Sequence, residues 1–227
     1  MKLTYHGHSC VLLETGEHRL LFDPFLSGND QAVVKPEEIR CDYILLTHGH
    51  DDHIGDTVEI AKANKATIIA NFEIASFFGD QGLTTHGMYI GGAHTFPFGR
   101  VKFTIAHHGS SYSGLNGRIP MGNPVGILIT AEEKTVFHAG DTGLFLDMKL
   151  IGELDHIDLA ILPIGDNFTM GPEDAVRAAS FLETRAVLPG HYNTWPIIEA
   201  DVDDFCRHLE SKGIQGHALK PGASLDL

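Results

Sequence analysis

The chain of 227 residues has little cysteine, no long hydrophobic run and no apolar segment near its start. Its three cysteines, Cys10, Cys41 and Cys206, lack C-x-x-C spacing, which excludes a disulfide framework and favours burial as small apolar residues. No apolar stretch approaches the ~20 residues that span a bilayer, and residues 1–10 lack the hydrophobic core of a signal peptide. We therefore expect a soluble, cytoplasmic protein with no membrane partner.

Positive charge is also scarce, because 16 Lys and Arg stand against 30 Asp and Glu, a formal net charge of −14. Such a surface repels a phosphate backbone, and no basic cluster in the sequence offsets the repulsion. We expect a small-molecule substrate and no nucleic-acid partner, while a homo-oligomer stays open. With 43% hydrophobic residues, residues 1–227 are expected to form one domain.

Histidine, in contrast, is abundant, with 15 residues, and its densest cluster follows the apolar run at residues 43–46. That run is short and continuously apolar, which indicates a buried strand. His48, His50, Asp52 and His53 follow in a predicted loop, and helix is expected only after Gly55. In an extended chain His48 and His50 lean the same way and can share one ion, while a turn can aim Asp52 and His53 at a second. Imidazole and carboxylate suit zinc, with manganese or iron as alternatives.

Strands and helices alternate along the rest of the chain, which predicts a layered α/β domain. Several apolar strands end in polar residues flanked by glycine, where such domains place ligands. Gly87–Gly92 is expected to form turns, and the glycine-rich stretch 113–123 a loop that is a candidate lid. Helices are predicted at 57–64, 72–78, 172–183 and 199–212, and strands at 3–13, 20–22, 66–70, 101–106, 125–130, 135–137, 159–162, 186–188 and 217–220.

The HGHDDH sequence at 48–53, between a strand and a helix, resembles the His-x-His-x-Asp-His signature of the metallo-β-lactamase superfamily. In that superfamily a His, an Asp and a His complete the site in this chain order. The present chain offers His108 or His107, then Asp141 and His191, each after an apolar strand. The resemblance extends over essentially the whole chain. It implies a four-layer αββα sandwich with metal ions at the open edge of its two sheets.

The resemblance also implies a pair of divalent ions, most simply zinc. Two such ions hold a bridging hydroxide at neutral pH, which attacks the substrate. The implied enzyme is a metal-dependent hydrolase of a small ester, lactone or phosphoester, with Asp52 and Asp141 as its catalytic carboxylates. The implied ligands are His48, His50 and His108 for the first ion and Asp52, His53 and His191 for the second, with Asp141 bridging both.

Other motifs look most like the small predicted metal-dependent hydrolases related to ascorbate-phosphate lactonases. These motifs are GHS at 7–9, FDP at 22–24, HAGDTG at 138–143 and GHYNTWP at 190–196. From the residues alone, a hydrogen-bonded core histidine and a turn carboxylate are the simpler explanations of His8 and Asp23; the resemblance places both close to the metals. Alternation along the strand does not decide between His107 and His108; the resemblance favours His108, because in relatives the ligand histidine is followed by small residues, and His107 would then lie beside the core.

Two other functions remain open: a phosphodiesterase or nuclease of the same superfamily, and a metal-binding scaffold without catalysis. The acidic charge disfavours the first, and the intact ligand set disfavours the second. An acidic protein suits neutral or weakly anionic small substrates, unless the metals themselves bind a phosphate. Five polar residues are predicted near the rim of the site, for substrate contacts or ordinary loop hydrogen bonds: Asn167, Thr169, Asn193, Thr194 and Arg118.

Overall fold

Two seven-stranded sheets stack face to face, and helices cover their outer faces. The structure is a computed structural model that describes residues 1–115 and 117–227. Over these residues the strands are β1 (Lys2–Gly7), β2 (Cys10–Thr15), β3 (His18–Phe22), β4 (Tyr43–Leu45), β5 (Thr67–Asn71), β6 (Thr85–Met88), β7 (Ala93–Phe96), β8 (Gly99–Ile105), β9 (Ser111–Gly114), β10 (Gly117–Pro120), β11 (Val125–Ala131), β12 (Lys134–His138), β13 (Leu159–Pro163), β14 (Ala186–Gly190), β15 (Gln215–Gly216) and β16 (Ser224–Asp226). The helices are α1 (Asp51–Ile54), α2 (Thr57–Asn64), α3 (Phe72–Gly79), α4 (Met148–Asp155), α5 (Pro172–Phe181) and α6 (Val202–Glu210), with single 3-10 turns at Pro36–Glu38 and Pro196–Ile198.

The order of strands brings distant parts of the chain to one edge of the sandwich. The first sheet has the order β16-β1-β2-β3-β4-β5-β6, and the second has the order β15-β14-β13-β12-β11-β8-β7. Strands β3 to β6 run parallel to one another, as do β12 to β15, whereas β11 is antiparallel to both β8 and β12. The carboxyl ends of β8, β12 and β14 therefore lie at the same end of the second sheet.

Alternation along the strands explains the layers. In β3, Leu20 and Phe22 belong to the core between the sheets, where they meet residues of the second sheet such as Phe103 and Ile127. Leu21 points the other way, into a second core under α1, α2 and α3. A third core lies between the second sheet and α4, α5 and α6. These layers confirm the αββα sandwich that the sequence predicts.

Most elements lie where the sequence places them, and the helices at 57–64 and 172–183 begin at the predicted residues. The segment 3–13 is two strands rather than one, because Gly7, with a φ of 98°, and His8, with a φ of 55°, turn the chain between β1 and β2. The predicted strand at 217–220 is wrong, since the flanking strands are Gln215–Gly216 and Ser224–Asp226. Gly87 lies in β6, so only part of 87–92 forms turns.

Two further differences concern the surroundings of the histidine cluster. The helix begins before Gly55, because Asp52 and His53 lie on the one-turn helix α1. The candidate lid at 113–123 is largely the hairpin β9–β10, which pairs Gly117 with Gly114 and Pro120 with Ser111; Asn116 lies outside the described residues. The sequence analysis did not assign α4. Among the described residues, none of the helices combines the length and apolar character that crossing a membrane requires.

Candidate metal centre

The predicted ligands meet where strands of both sheets end. The segment after β4 contributes the histidine cluster, and β8, β12 and β14 end just before or within the segments that supply His108, Asp141 and His191. Separations of up to 143 positions in sequence, from His48 to His191, are closed by the packing of the two sheets. Every ligand that the resemblance implied is present in this cluster: His48, His50, Asp52, His53, His108, Asp141 and His191.

The first group consists of His48, His50 and His108, whose ligand nitrogens all lie within 4.8 Å of one another. The Nε2 atom of His48 is 2.9 Å from the Nδ1 atom of His50, so both rings direct a nitrogen to the same point. The Nε2 atom of His108 is 3.5 Å from Oδ2 of Asp141. Three imidazoles in this arrangement are a donor set that divalent transition metals bind.

The second group consists of Asp52, His53 and His191, together with His8. Asp141 lies between the two groups, with Oδ2 at 3.1 Å from Nε2 of His191 and Oδ1 at 3.3 Å from Nε2 of His53. Its Oδ2 atom is also 4.0 Å from Nε2 of His48 in the first group. One carboxylate therefore faces both groups, as a bridging ligand must.

The electrostatics of the site fit bound cations. Although burial alone would raise it, the pKa of Asp141 is held well below its usual range by His191 and His53. Burial likewise opposes protonation of His191, but Asp141 and Asp52 raise its pKa to about 9. Nε2 of His53 and Oδ1 of Asp141 are buried without a hydrogen-bond partner. Buried polar atoms of this kind are costly unless paired, and divalent ions would replace the protons that the imidazoles hold.

Asp23 orients the histidine cluster from beneath. It is fully buried, and its Oδ2 atom accepts hydrogen bonds from Nδ1 of His53 at 2.8 Å and from Oγ1 of Thr47 at 2.7 Å. The backbone N–H of Thr47 donates to Oδ1 at 2.9 Å. Since Nδ1 of His53 is engaged in this way, Nε2 is the nitrogen presented to the site. Carboxylates that hold metal-binding histidines in this way are common in metal sites.

His8 supports Asp52 from the first hairpin turn. Its Nε2 atom lies 3.1 Å from Oδ2 of Asp52, and its Nδ1 atom lies 2.8 Å from Oγ1 of Thr194. Burial lowers the pKa of His8 to about 4, so the ring is neutral, donates to Asp52 and accepts from Thr194. The carbonyl of His8 also accepts from the backbone N–H of His191 at 2.9 Å. This residue therefore orients two members of the second group.

The two adjacent histidines after β8 point in different directions. His108 is half-buried and faces Asp141, whereas His107 is exposed, with its ring centroid 4.9 Å from that of Phe145. His107 thus lies at the edge of the third core, because Phe145 packs against that core, although its own side chain stays exposed. Its backbone, rather than its side chain, holds the segment, because its N–H donates to Oγ1 of Thr142 and its carbonyl accepts from Gly143.

The groups open into a cleft of about 470 Å³. Three aromatic residues in its lining, which sequence reasoning did not single out, are Phe25, Phe168 and Trp195. Phe25 follows β3 and Asp23, and Trp195 follows β14 and His191, so a sequence signal existed for these two; Phe168 follows β13, which supplies no member of the histidine groups. The cleft lining also contains Arg118.

The other predicted rim residues have local roles. Thr194 is buried beneath His8, and Asn193 bonds to the backbone of Ala200. The backbone N–H of Asn167 donates to Asp166, and Thr169 donates to the carbonyl of Met170. A larger groove of about 740 Å³ between α5 and α6 is lined by residues such as Glu173, Arg177 and His208, but the convergent histidines lie in the smaller cleft. The chemistry of the molecule is therefore centred on the smaller cleft.

Comparison with known proteins agrees with this fold and site. Residues 18–192 match the sequence model of the beta-lactamase superfamily domain. A UPF0173 metal-dependent hydrolase of Bacillus licheniformis is 55% identical over 228 residues, covering 100% of this chain and 99% of that protein. A UPF0173 metal-dependent hydrolase of Bacillus thuringiensis is 56% identical over 229 residues and is covered completely, as is this chain.

Solved structures extend the likeness to three dimensions. Igni18, described as a novel metallo hydrolase from the hyperthermophilic archaeon Ignicoccus hospitalis, is 35% identical with a TM-score of 0.91, covering 99% of this chain and 97% of that one. An isothiocyanate hydrolase from Delia radicum gut bacteria shares the fold, with 20% identity and a TM-score of 0.78 over 100% of this chain and 99% of that one. The fold and the site define a metal-dependent hydrolase. The chain belongs to the beta-lactamase superfamily, and its full-length relatives are the UPF0173 metal-dependent hydrolases within it.

Proposed function

We propose that the chain hydrolyses a small ester, lactone or phosphoester with two divalent metal ions. The observation that supports this most is the position of Asp141, which faces His48 and His108 on one side and His53 and His191 on the other. A carboxylate between two histidine groups suits a pair of cations better than a single one, because it lowers the repulsion between them. The mixed nitrogen and oxygen donors suit zinc, with manganese or iron as alternatives.

In this proposal the chain's own residues bind the two ions and orient the groups around them. When bound, the two ions would activate a water molecule at neutral pH and polarise the oxygen of the group under attack. Asp52 is held by His8 and has a pKa below its usual range, because the nearby rings of His53 and His191, the latter at 3.6 Å, and the hydrogen bond from His8 outweigh the effect of burial. Asp52 and Asp141 thus stay ionised and retain their charge for the cations and for water in the cleft.

The function is tested by Asp141→Ala, with Asp203→Ala on the exposed first turn of α6 as a matched control. We expect wild-type protein reconstituted with zinc to contain two ions per chain by elemental analysis and to hydrolyse chromogenic esters or phosphoesters. Asp141→Ala should lose bound metal and at least about 100-fold in rate, because removing a group that positions metals has effects of this order or larger. Its circular dichroism should stay native, since the sheet cores do not include Asp141.

Two results would overturn the proposal. The first is reconstituted wild-type protein that contains no metal or a single ion. The second is Asp141→Ala hydrolysing at the wild-type rate. The control Asp203→Ala should match wild-type protein in metal content and in rate.

A further inference from the structure

The charge of the cleft differs from the charge of the whole molecule. The chain has a net charge of −14, yet the side chains lining the cleft include a guanidinium, that of Arg118. Two divalent ions would contribute four positive charges at this place and Arg118 contributes a fifth, while the three carboxylates in the lining, Asp51, Asp52 and Asp141, offset three of these five. The cleft of the metal-loaded protein is therefore positive, and an anionic group is favoured there in spite of the acidic surface.

The hairpin β9–β10 holds Arg118 at the cleft. Arg118 pairs with Ser113 across the hairpin, so the two side chains share one face. Ser113 is anchored to Asp51, the first residue of α1, through its backbone N–H at 3.2 Å and its hydroxyl at 2.6 Å. On the opposite face, the ring of Tyr112 packs against Phe77, with centroids 5.5 Å apart. Both faces are thus attached to the body of the protein, and the face that bears Arg118 is turned to the metal loop.

Arg118 lies toward the first metal group. It lines the cleft together with His50 and His108. Its hairpin begins directly after Ser110, whose hydroxyl accepts a hydrogen bond at 3.1 Å from the backbone N–H of Gly49, between His48 and His50. The guanidinium also donates to the hydroxyl of Ser111 at 3.3 Å, and within residues 1–115 and 117–227 most of its five donors have no protein partner. Its exposed, fork-shaped donor set is suited to a carboxylate or a phosphoryl group.

The other end of the cleft is aromatic. Phe25 and Trp195 lie with ring centroids 6.0 Å apart, and each lies against His8, at 5.5 and 5.1 Å. The ring centroid of His8 in turn lies 4.2 Å from that of His191 in the second group. The aromatic pair therefore stands beside the second group, and Arg118 stands beside the first.

We propose that the site binds a small substrate with one anionic group at Arg118 and a flat apolar group against Phe25 and Trp195. The bond to be cleaved then lies between these ends, over the two metal groups. Flat apolar groups gain from offset or edge contacts with aromatic rings. This inference rests on the proposed function, because it names the substrate class of the same site.

A pair of esters with the same leaving group tests the anionic end. 4-Nitrophenyl acetate is neutral, and mono-4-nitrophenyl succinate differs in bearing a carboxylate. Wild-type protein should have the larger kcat/KM for the succinate. Arg118→Gln should lower kcat/KM for the succinate about 10- to 100-fold, mainly through KM, as expected for a lost hydrogen bond to a charged group. The same variant should change kcat/KM for the acetate less than about twofold. Arg118→Lys should recover part of the loss, and Arg177→Gln on α5, which removes the same charge elsewhere, should behave as wild type.

A binding measurement separates this inference from the proposed function. Phenylacetate and phenylacetamide are titrated calorimetrically into zinc-loaded wild-type protein, Arg118→Gln and Trp195→Leu. Arg118→Gln should lower the affinity for phenylacetate about tenfold or more and leave the affinity for phenylacetamide unchanged. Trp195→Leu should lower the affinity for both ligands.

If neither ester is hydrolysed, the ester form of the proposed function fails, while the calorimetry still decides whether Arg118 recognises the anion. If the esters are hydrolysed and Arg118→Gln alters neither the preference for the succinate nor the affinity for phenylacetate, the inference is wrong. Unchanged affinity for both ligands in Trp195→Leu would remove the aromatic end of the proposal.

Discussion

At the scale of single residues, the charged side chains of the site change one another's pKa values over short distances. Asp141 lies 3.1 Å from a nitrogen of His191 and 3.3 Å from one of His53, and these contacts raise the pKa values of both rings against the effect of burial. Protons thus occupy positions that cations would take, so metal binding must release protons. Metal occupancy should accordingly fall as the pH drops through the range in which the ligand imidazoles bind protons.

The identity of the histidine ligand after β8 is a prediction at this scale. His108→Ala should lose one metal ion per chain, because its Nε2 atom faces Asp141. His107→Ala should keep both ions, because its ring lies outside the site against Phe145. Elemental analysis of both variants after reconstitution decides between them. The assignment fails if His107→Ala loses an ion while His108→Ala retains two.

Among the elements, the one-turn helix α1 does most to shape the site. It carries Asp52 and His53, and it ends at Gly55, which has a φ of 41°. A Cβ atom at Gly55 would overlap the carbonyl oxygen of Pro24 and lie 2.7 Å from Cα of Phe25. The loop before β4 and the helix α1 are therefore pressed together, and this contact holds Asp23 beneath His53.

Gly55→Ala should for that reason disturb both stability and metal binding. Gly82→Ala is the matched control, because Gly82 also has a positive φ, of 80°, but a Cβ atom there would meet nothing within 4 Å. The control should lower the free energy of unfolding by about 1 kcal/mol from backbone strain alone. Gly55→Ala should cost roughly 1–3 kcal/mol more, because overlapping atoms must move apart. Urea titration measures both, and equal losses for the two variants would contradict the close approach.

The whole molecule is acidic, yet it buries several histidines, and its stability should therefore depend on pH. His6 in β1 is 4% exposed, both of its ring nitrogens lack a hydrogen-bond partner among the described residues, and burial lowers its pKa. The unfolded chain binds a proton at His6 near its ordinary pKa of about 6.5, whereas the folded chain does not until lower pH. As the pH falls through the range between the unfolded pKa and the lower folded pKa of His6, the unfolded state binds more protons, so the folded state loses stability.

His6→Leu should remove this contribution. The free energy of unfolding of the variant relative to wild type should be constant above pH 7 and should increase as the pH falls toward 5, by at most about 1.4 kcal/mol per pH unit. Metal-free proteins are compared, so that loss of metal does not enter. His156→Leu, at an exposed position directly after α4, is the control for the loss of a surface imidazole. A difference between His6→Leu and wild type that is independent of pH would show that His6 binds its proton equally in both states.

The chain by itself determined the types of ligand, their order and the ends of the strands that present them. These features are local: an apolar run followed by HGHDDH is sufficient to indicate a strand and a metal-binding segment, and Pro172 marks the first residue of a helix. The sequence pattern does not indicate the helix α4, because Leu150 and Leu154 are apolar yet exposed and so weaken the amphipathic pattern of the helix. The short strand after α6 was misplaced for a related reason, since its pairing with β14 is set by the neighbouring strand.

Only the tertiary structure decided which of two adjacent histidines faces the site, that Asp23 supports His53, and which contacts hold Arg118, already predicted near the rim, at the cleft. Each of these depends on partners far away in the sequence: His108 on Asp141, Asp23 on α1, and Arg118 on the attachment of its hairpin to Asp51. Periodicity assigns a residue to a face of its own element. It contains no information on which other element will lie against that face, because that is settled by how the two sheets and their helices pack together.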